Sequence, residues 1–192
     1  MILNRLLFVN ACVRRERSRT ERLARAWLDR LCRQTPYEVQ EIVLEEEGLR
    51  GLDSAALARR DRLLAEGNLT HEMFRYARDF RKADEIVIAA PYWDMSFPAA
   101  LKCYLEAVSV VGLTFRYRAD GTPEGLCRAG RLTYLTTAGG FIGQDDFGYD
   151  YICALAALFG IARTQEFRAE GLDIVGADVE AILRRAEASL TD

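Results

Sequence analysis

Three short stretches of this chain hold the residues best suited to gripping a small molecule. The first is Ala11-Cys12-Val13-Arg14-Arg15-Glu16-Arg17-Ser18-Arg19-Thr20, which sets two hydroxyls and four arginines just before a helical pattern. The unpaired N–H groups and positive dipole end of a helix N-terminus hold phosphate. Ser18 and Thr20 add hydroxyl donors, and Arg14, Arg15, Arg17 and Arg19 supply positive potential. The stretch has no glycine, so it is neither a Walker A loop nor a G-x-G-x-x-G fingerprint. Ser18 with Glu21 also forms S-x-x-E, the capping box that opens ordinary helices. A thiol in this setting, Cys12, is expected to have a depressed pKa.

The second stretch, Pro91-Tyr92-Trp93-Asp94-Met95, follows the apolar run Glu85–Ala90. Pro91 cannot donate to a central ladder, so the strand should stop there. Two aromatics, an acid and a methionine then suit a flat, partly apolar ligand with polar edges, such as a flavin ring. They would equally plug the top of a core, since aromatics and Met are common core residues. The third stretch is Thr136-Thr137-Ala138-Gly139-Gly140-Phe141-Ile142-Gly143. Its paired glycines let the backbone approach a ligand closely, or merely turn.

The elements that must position these stretches alternate. Leu3–Asn10 is strand-like, and Ser18–Cys32 has helical periodicity through Leu23, Ala26, Trp27, Leu28 and Leu31. Val39–Leu44 reads as a second strand, followed by helical segments over Ser54–Ala65 and Thr70–Lys82. Strand Glu85–Ala90 leads to a helix over Pro98–Val111. Leu113–Arg118 is extended, with Ala119-Asp120-Gly121 as the turn of a small excursion. Strand Arg131–Thr137, helix Phe147–Phe159, strand Ile161–Arg168 and helix Ala177–Ser189 complete the chain. Such alternation implies a parallel sheet with helices on both faces. Five strands predict a flavodoxin-like three-layer sandwich of order 2-1-3-4-5, whose switch point lies between strands one and three.

Composition removes other classes. A chain of 192 residues is expected to be one domain with a real core and no need of a disulfide scaffold. Its formal charge of -3, from 26 basic and 29 acidic side chains, argues against a nucleic-acid binder. No apolar run has transmembrane length, and no charged-then-apolar leader is visible. The five cysteines (Cys12, Cys32, Cys103, Cys127, Cys153) are scattered without a C-x-x-C pair, which predicts reduced thiols in a cytoplasmic protein and no zinc site. A single histidine, His71, excludes a multi-His metal centre and reads as a helix-start or surface residue.

In the predicted strand order, the loops after strands one, three and four converge on one crevice. A cofactor with a phosphate at one end and a flat ring at the other would touch all three. FMN has that shape. Two other readings of the same architecture are a one-electron flavodoxin-type carrier and a flavin-free binding or regulatory module.

The chain resembles the flavodoxin-like NAD(P)H-dependent oxidoreductases, the group holding FMN-dependent NADH-azoreductases and NAD(P)H:quinone reductases. The likeness is densest over Ala90–Arg118, where A-P-x-x-x-x-x-x-P-x-x-L-K leads to Gly112-Leu113-Thr114-Phe115-Arg116-Tyr117. Pro-Glu-Gly-Leu at 123–126 and Thr-Ala-Gly-Gly at 137–140 extend it. The resemblance implies that Cys12, Ser18 and Thr20 hold the FMN phosphate and ribityl chain, with Arg19 contributing its backbone between the last two. It implies that Tyr92, Trp93, Asp94 and Met95, entered through Pro91, lie against the isoalloxazine ring, and that Thr137, Ala138, Gly139 and Gly140 border its pyrimidine edge. The family often has serine where Cys12 stands, Met-Tyr-Asn-Phe where this chain has Tyr-Trp-Asp-Met, and arginine where Ala138 stands. It further implies a homodimer, NADH or NADPH as electron donor, a small-molecule acceptor such as a quinone or azo compound, and no catalytic side chain. The cofactor carries such reactions, and the protein supplies orientation, electrostatics and exclusion of water.

Overall fold

The computed structural model describes residues 3–191. Five parallel strands form the central sheet: β1 (Asn4–Asn10), β2 (Tyr37–Val43), β3 (Glu85–Ala89), β6 (Arg131–Thr137) and β7 (Arg163–Ala169). Their order is β2-β1-β3-β6-β7. Once the short pair β4 (Phe115–Tyr117) and β5 (Pro123–Gly125) is set aside, this is the expected 2-1-3-4-5. The chain order therefore reverses between β1 and β3, which opens the crevice at the carboxyl ends of those strands.

The sequence accounts for which strands are central. Every residue of β3 and β6 is buried, whereas β2 and β7 carry exposed or half-buried polar side chains along most of their length. Strands covered on both faces read as apolar runs, and edges are blunted by charge. In β1 successive side chains alternate between two cores. Leu6 and Phe8 pack with Leu23, Trp27 and Leu31 of α1 (Arg19–Gln34), while Leu7 and Val9 pack with Phe80, Tyr104 and Leu105 on the other face. Those last residues belong to α3 (Arg75–Lys82) and α4 (Ala99–Val108); α5 (Phe147–Phe159) joins them through Phe159. The first face is completed by Leu190, which follows α6 (Val179–Ala188).

At the amino end of the sheet Glu85 and Arg131 stand opposite one another on β3 and β6, 2.8 Å apart and nearly buried. Arg131 also lies over the Trp27 ring at 5.4 Å. The pair satisfies two charges that burial would otherwise penalise.

Element ends differ from expectation for local reasons. The segment expected to be one helix from Thr70 opens as a 3-10 turn, Glu72–Phe74, before α3 begins. Its start is capped by His71, whose Nδ1 accepts from the Met73 N–H at 3.0 Å, so the sole histidine has a capping role. α4 stops at Val108 rather than Val111 because Thr114 Oγ1 donates to the Val108 carbonyl at 2.8 Å and draws the chain away. β7 begins two residues later than expected and reaches Ala169. The excursion turns where expected, with the Asp120 carboxylate accepting from the Thr122 N–H at 2.9 Å. Gly125 then lies so close to α5 that a Cβ would stand 2.1 Å from the Gly160 nitrogen. α2 (Ser54–Ala65) matches the expected span.

Candidate functional site

α1 begins one residue after Ser18. The Ser18 hydroxyl accepts from the Glu21 N–H at 3.2 Å, an N-cap that satisfies one of the helix's four unpaired donors. The return half of the capping box is absent, because the Glu21 carboxylate pairs with Arg25 at 2.8 Å. It is thus turned to a cation rather than left against an anion at the helix start. The N–H groups of Arg19 and Thr20 stay free of intrahelical partners by helix geometry.

Three loops are tied together through Thr137. Its hydroxyl meets that of Thr20 at 2.7 Å, joining the first loop to the third. Its carbonyl accepts from the Tyr92 N–H at 3.0 Å, joining the second loop to the same point. Between them lies a cleft of about 180 Å³. Its walls are Val13, Arg14, Arg17, Ser18, Arg19 and Thr20 from the first loop, Pro91, Tyr92 and Trp93 from the second, and Thr137, Ala138 and Gly139 from the third. Arg14 and Arg17 reach it with no carboxylate partner among the described residues.

Nine of the thirteen expected site residues thus face one cleft, and four do not. Cys12 is buried beneath the first loop, with its thiol toward the Ala89 carbonyl at 3.7 Å and its N–H on Asn10 Oδ1 at 3.0 Å. Burial pushes this thiol up to about 12, against the expected depression. The arginines nearby only partly offset the loss of water, since desolvation disfavours the thiolate directly. Asp94 and Met95 form the tip of a turn beyond the cleft wall. Trp93 and Ser96 exchange backbone hydrogen bonds at 3.0 and 2.8 Å across it. Asp94 and Met95 both have positive φ, 49° and 63°, the signature of a type I′ turn. For a side chain as large as Met this is a strained conformation, and such strain gathers at functional sites. Gly140 is exposed, and its carbonyl accepts from the Gly171 N–H at 2.8 Å.

Trp93 is 41% exposed, which rules out its role as a core plug. Tyr92 is half-buried, and its hydroxyl reaches the Asp145 carbonyl at 3.4 Å. Two cleft residues escaped the sequence reading: Leu172 and Asp173, from the loop after β7. The available signal was the strand order itself, which makes the loops after β6 and β7 neighbours.

Asp146 caps α5, and Glu166 lies on β7 opposite Tyr134. Burial, then the Asp146 carboxylate, raises Glu166 to about 7, while Arg168 opposes the rise and Glu170 adds to it. A carboxyl whose folded pKa exceeds its unfolded value of about 4.3 favours the folded state while protonated. That contribution is complete below the unfolded pKa and is lost as pH rises through about 7. Glu166→Gln is therefore expected to lie within about 0.5 kcal/mol of the wild type at pH 4 and to exceed its stability at pH 8 by about 3 kcal/mol. Urea unfolding at both pH values checks this, and a pH-independent difference would contradict it.

Among the described residues, no group of three or more His, Cys, Asp or Glu side chains is placed to hold a metal ion. All five cysteines are free thiols. Among the described residues, no helix is long and apolar enough to cross a membrane.

A family model described as "flavodoxin-like fold" matches residues 4–192. The chain is 33% identical over 189 residues to a Clostridium acetobutylicum protein named FMN-dependent NADH:quinone oxidoreductase 2, covering 95% of this chain and 94% of that one. A Clostridium beijerinckii protein named FMN-dependent NADH:quinone oxidoreductase is 32% identical over 188 residues, covering 96% and 94%. Among solved structures, an azoreductase from Bacillus anthracis superposes with a TM-score of 0.85 at 22% identity, covering 98% of this chain and 97% of its own. An FMN-dependent NADH-azoreductase from the same species, solved in complex with FMN, gives 0.81 at 20% identity and 98% coverage of both chains. The doubly wound sheet, the family match along nearly its whole length and these relatives lead to one conclusion: the chain belongs to the flavodoxin-like fold family.

Proposed function

We propose that this protein is an FMN-dependent oxidoreductase that takes electrons from NADH or NADPH and passes them to quinones or azo compounds. The observation that carries the reading is the cleft itself. A cationic helix start stands at one end, an exposed aromatic wall at the other, and Thr137 fastens both to one frame. The curated relatives named for FMN-dependent NADH:quinone oxidoreduction support the same chemistry.

The residues fit the cofactor. Ser18, Thr20 and the N–H groups of Arg19 and Thr20 face the position of a phosphate, with Arg14 and Arg17 lending positive charge. Tyr92 and Trp93 present a flat surface to a ring. Gly139 has no side chain where the Asp173 carboxylate lies, and the backbone of Thr137, Ala138 and Gly139 would border a cofactor edge. When bound, FMN supplies two-electron transfer between nicotinamide and acceptor. The chain's own residues anchor one end and set the plane of the aromatic wall against which the ring would lie. No side chain is assigned to proton transfer.

Apolar side chains stand in the open on the second loop, the third loop and the first turn of α5: Trp93, Met95, Phe141 and Phe147, the last two 75% and 55% exposed. A second copy of the chain covering these side chains is the partner that the reading includes, and the scattered reduced cysteines suit a cytoplasmic setting. Purified protein should carry flavin absorbance and oxidise NADH with quinone or azo dye by ping-pong kinetics. Absence of both bound flavin and NADH-dependent turnover would defeat the proposal, and sedimentation as a monomer would remove the homodimer.

A further inference from the structure

The loop after β7 adds an acid to a cleft that otherwise favours anions. Four backbone hydrogen bonds zip this loop to the third loop: Ala138 N–H to the Ala169 carbonyl, Leu172 N–H to Ala138, Asp173 N–H to Gly139 and Gly171 N–H to Gly140, at 2.8 to 3.2 Å. The Asp173 backbone is thereby fixed at the cleft edge. From across the opening the Arg19 guanidinium donates to Asp173 Oδ1 at 2.7 Å and to the Leu172 carbonyl at 3.3 Å. The second oxygen, Oδ2, has no protein donor among the described residues. It rests against Gly139, where a Cβ would stand 2.4 Å away, so only glycine leaves it this position.

The pair does little for folding. Its side chains are 37% and 69% exposed, and ion pairs so exposed contribute little to stability. A carboxylate beside Arg14, Arg17 and a helix N-terminus would repel a phosphate unless it were neutralised, and it would be idle unless the ligand brought hydrogen-bond donors to it. Arg19 meets the first need. A ribityl chain, with its row of hydroxyls next to the phosphate, meets the second.

We propose that Asp173, aimed by Arg19, is a cofactor-positioning residue whose free carboxylate oxygen accepts hydrogen bonds from the ribityl hydroxyls of FMN. The inference rests on the FMN reading above and names a contact which that reading does not contain. Arg19 then has two tasks: its backbone serves the phosphate, and its side chain holds Asp173 in place and offsets its charge.

Riboflavin separates the parts, because it has the ribityl chain without the phosphate. Full-length protein stripped of flavin is titrated with FMN and with riboflavin, following flavin fluorescence, for the wild type, Asp173→Ala and Arg19→Ala. Thermal unfolding of the same flavin-free proteins controls for folding. Asp173→Ala is expected to weaken riboflavin by about tenfold. FMN should weaken less, because the freed Arg19 guanidinium can turn to the phosphate. Arg19→Ala should weaken FMN by about tenfold, with added salt relieving the loss, and should weaken riboflavin by a smaller factor than Asp173→Ala does, because Asp173 loses its aim but keeps its carboxylate. Unchanged riboflavin affinity in Asp173→Ala would overturn the role of Asp173 while FMN binding by the wild type upheld the cofactor reading. A wild type that bound neither flavin would defeat both.

Discussion

Replacing Ser18 and Thr20 together by alanine is expected to weaken FMN binding by about 3 kcal/mol, roughly a hundredfold. Both hydroxyls stand at the α1 N-terminus on the cleft wall, where hydrogen bonds to a charged phosphate are worth more than ordinary ones. Ser18 also caps the helix, and losing that cap costs about 1 kcal/mol of stability. Thr20 has a further task in its 2.7 Å contact with Thr137, so its loss loosens the joint between the first and third loops. Titration with FMN and denaturant unfolding of the flavin-free variant separate binding from folding. Affinity within twofold of the wild type would move the phosphate away from this helix.

The two tryptophans should respond in opposite ways to truncation. Trp27 is fully buried, with its ring 4.8 Å from that of Phe167 and beneath the Arg131 guanidinium. Trp27→Ala should destabilise the protein by about 3–5 kcal/mol, from lost apolar burial and the cavity left behind. It would also strip a neighbour from the buried Glu85–Arg131 pair. Trp93 stands 41% exposed on the cleft wall, so Trp93→Ala should cost under about 1 kcal/mol in stability. Its effect should fall on acceptor Michaelis constants and flavin retention together. Urea unfolding and steady-state kinetics of the two variants decide the matter. A Trp93 variant as unstable as the Trp27 variant, with unaltered kinetics, would make Trp93 a packing residue.

The strained turn beside Trp93 fits this division. Asp94 and Met95 both adopt positive φ, and the two backbone bonds between Trp93 and Ser96 hold them there. The turn sets the direction of the aromatic wall without lining the cleft. That separates residues which face a ligand from residues which shape the loop, a distinction that loop sequences do not show.

Much of the architecture was written locally. Apolar runs at Glu85–Ala89 and Leu132–Leu135, against the polar edges β2 and β7, reported which strands lie at the centre. The strand-to-helix junctions gave the three loops, because strand ends, helix caps and paired glycines depend on a few adjacent residues. Leu3–Asn10 led to Ser18 at a helix start, Pro91 ended a strand, and Gly139-Gly140 followed Thr137.

What the tertiary structure alone decided depends on distance in sequence. Cys12 and Ser18 belong to one loop, yet one is buried with a raised pKa and the other lines the cleft, because β3 packs on Cys12 from the far side of the sequence. Thr20 and Thr137 form the joint of the site from 117 positions apart. Asp173 meets Arg19 from 154 positions away. Burial and such pairings are properties of the packed sheet, so one sequence read segment by segment carries no sign of them. The sequence determined the layers, the order of the strands and the loops that meet. Packing determined which side chains of those loops face the cleft, what charge each one carries there and which acid joins them.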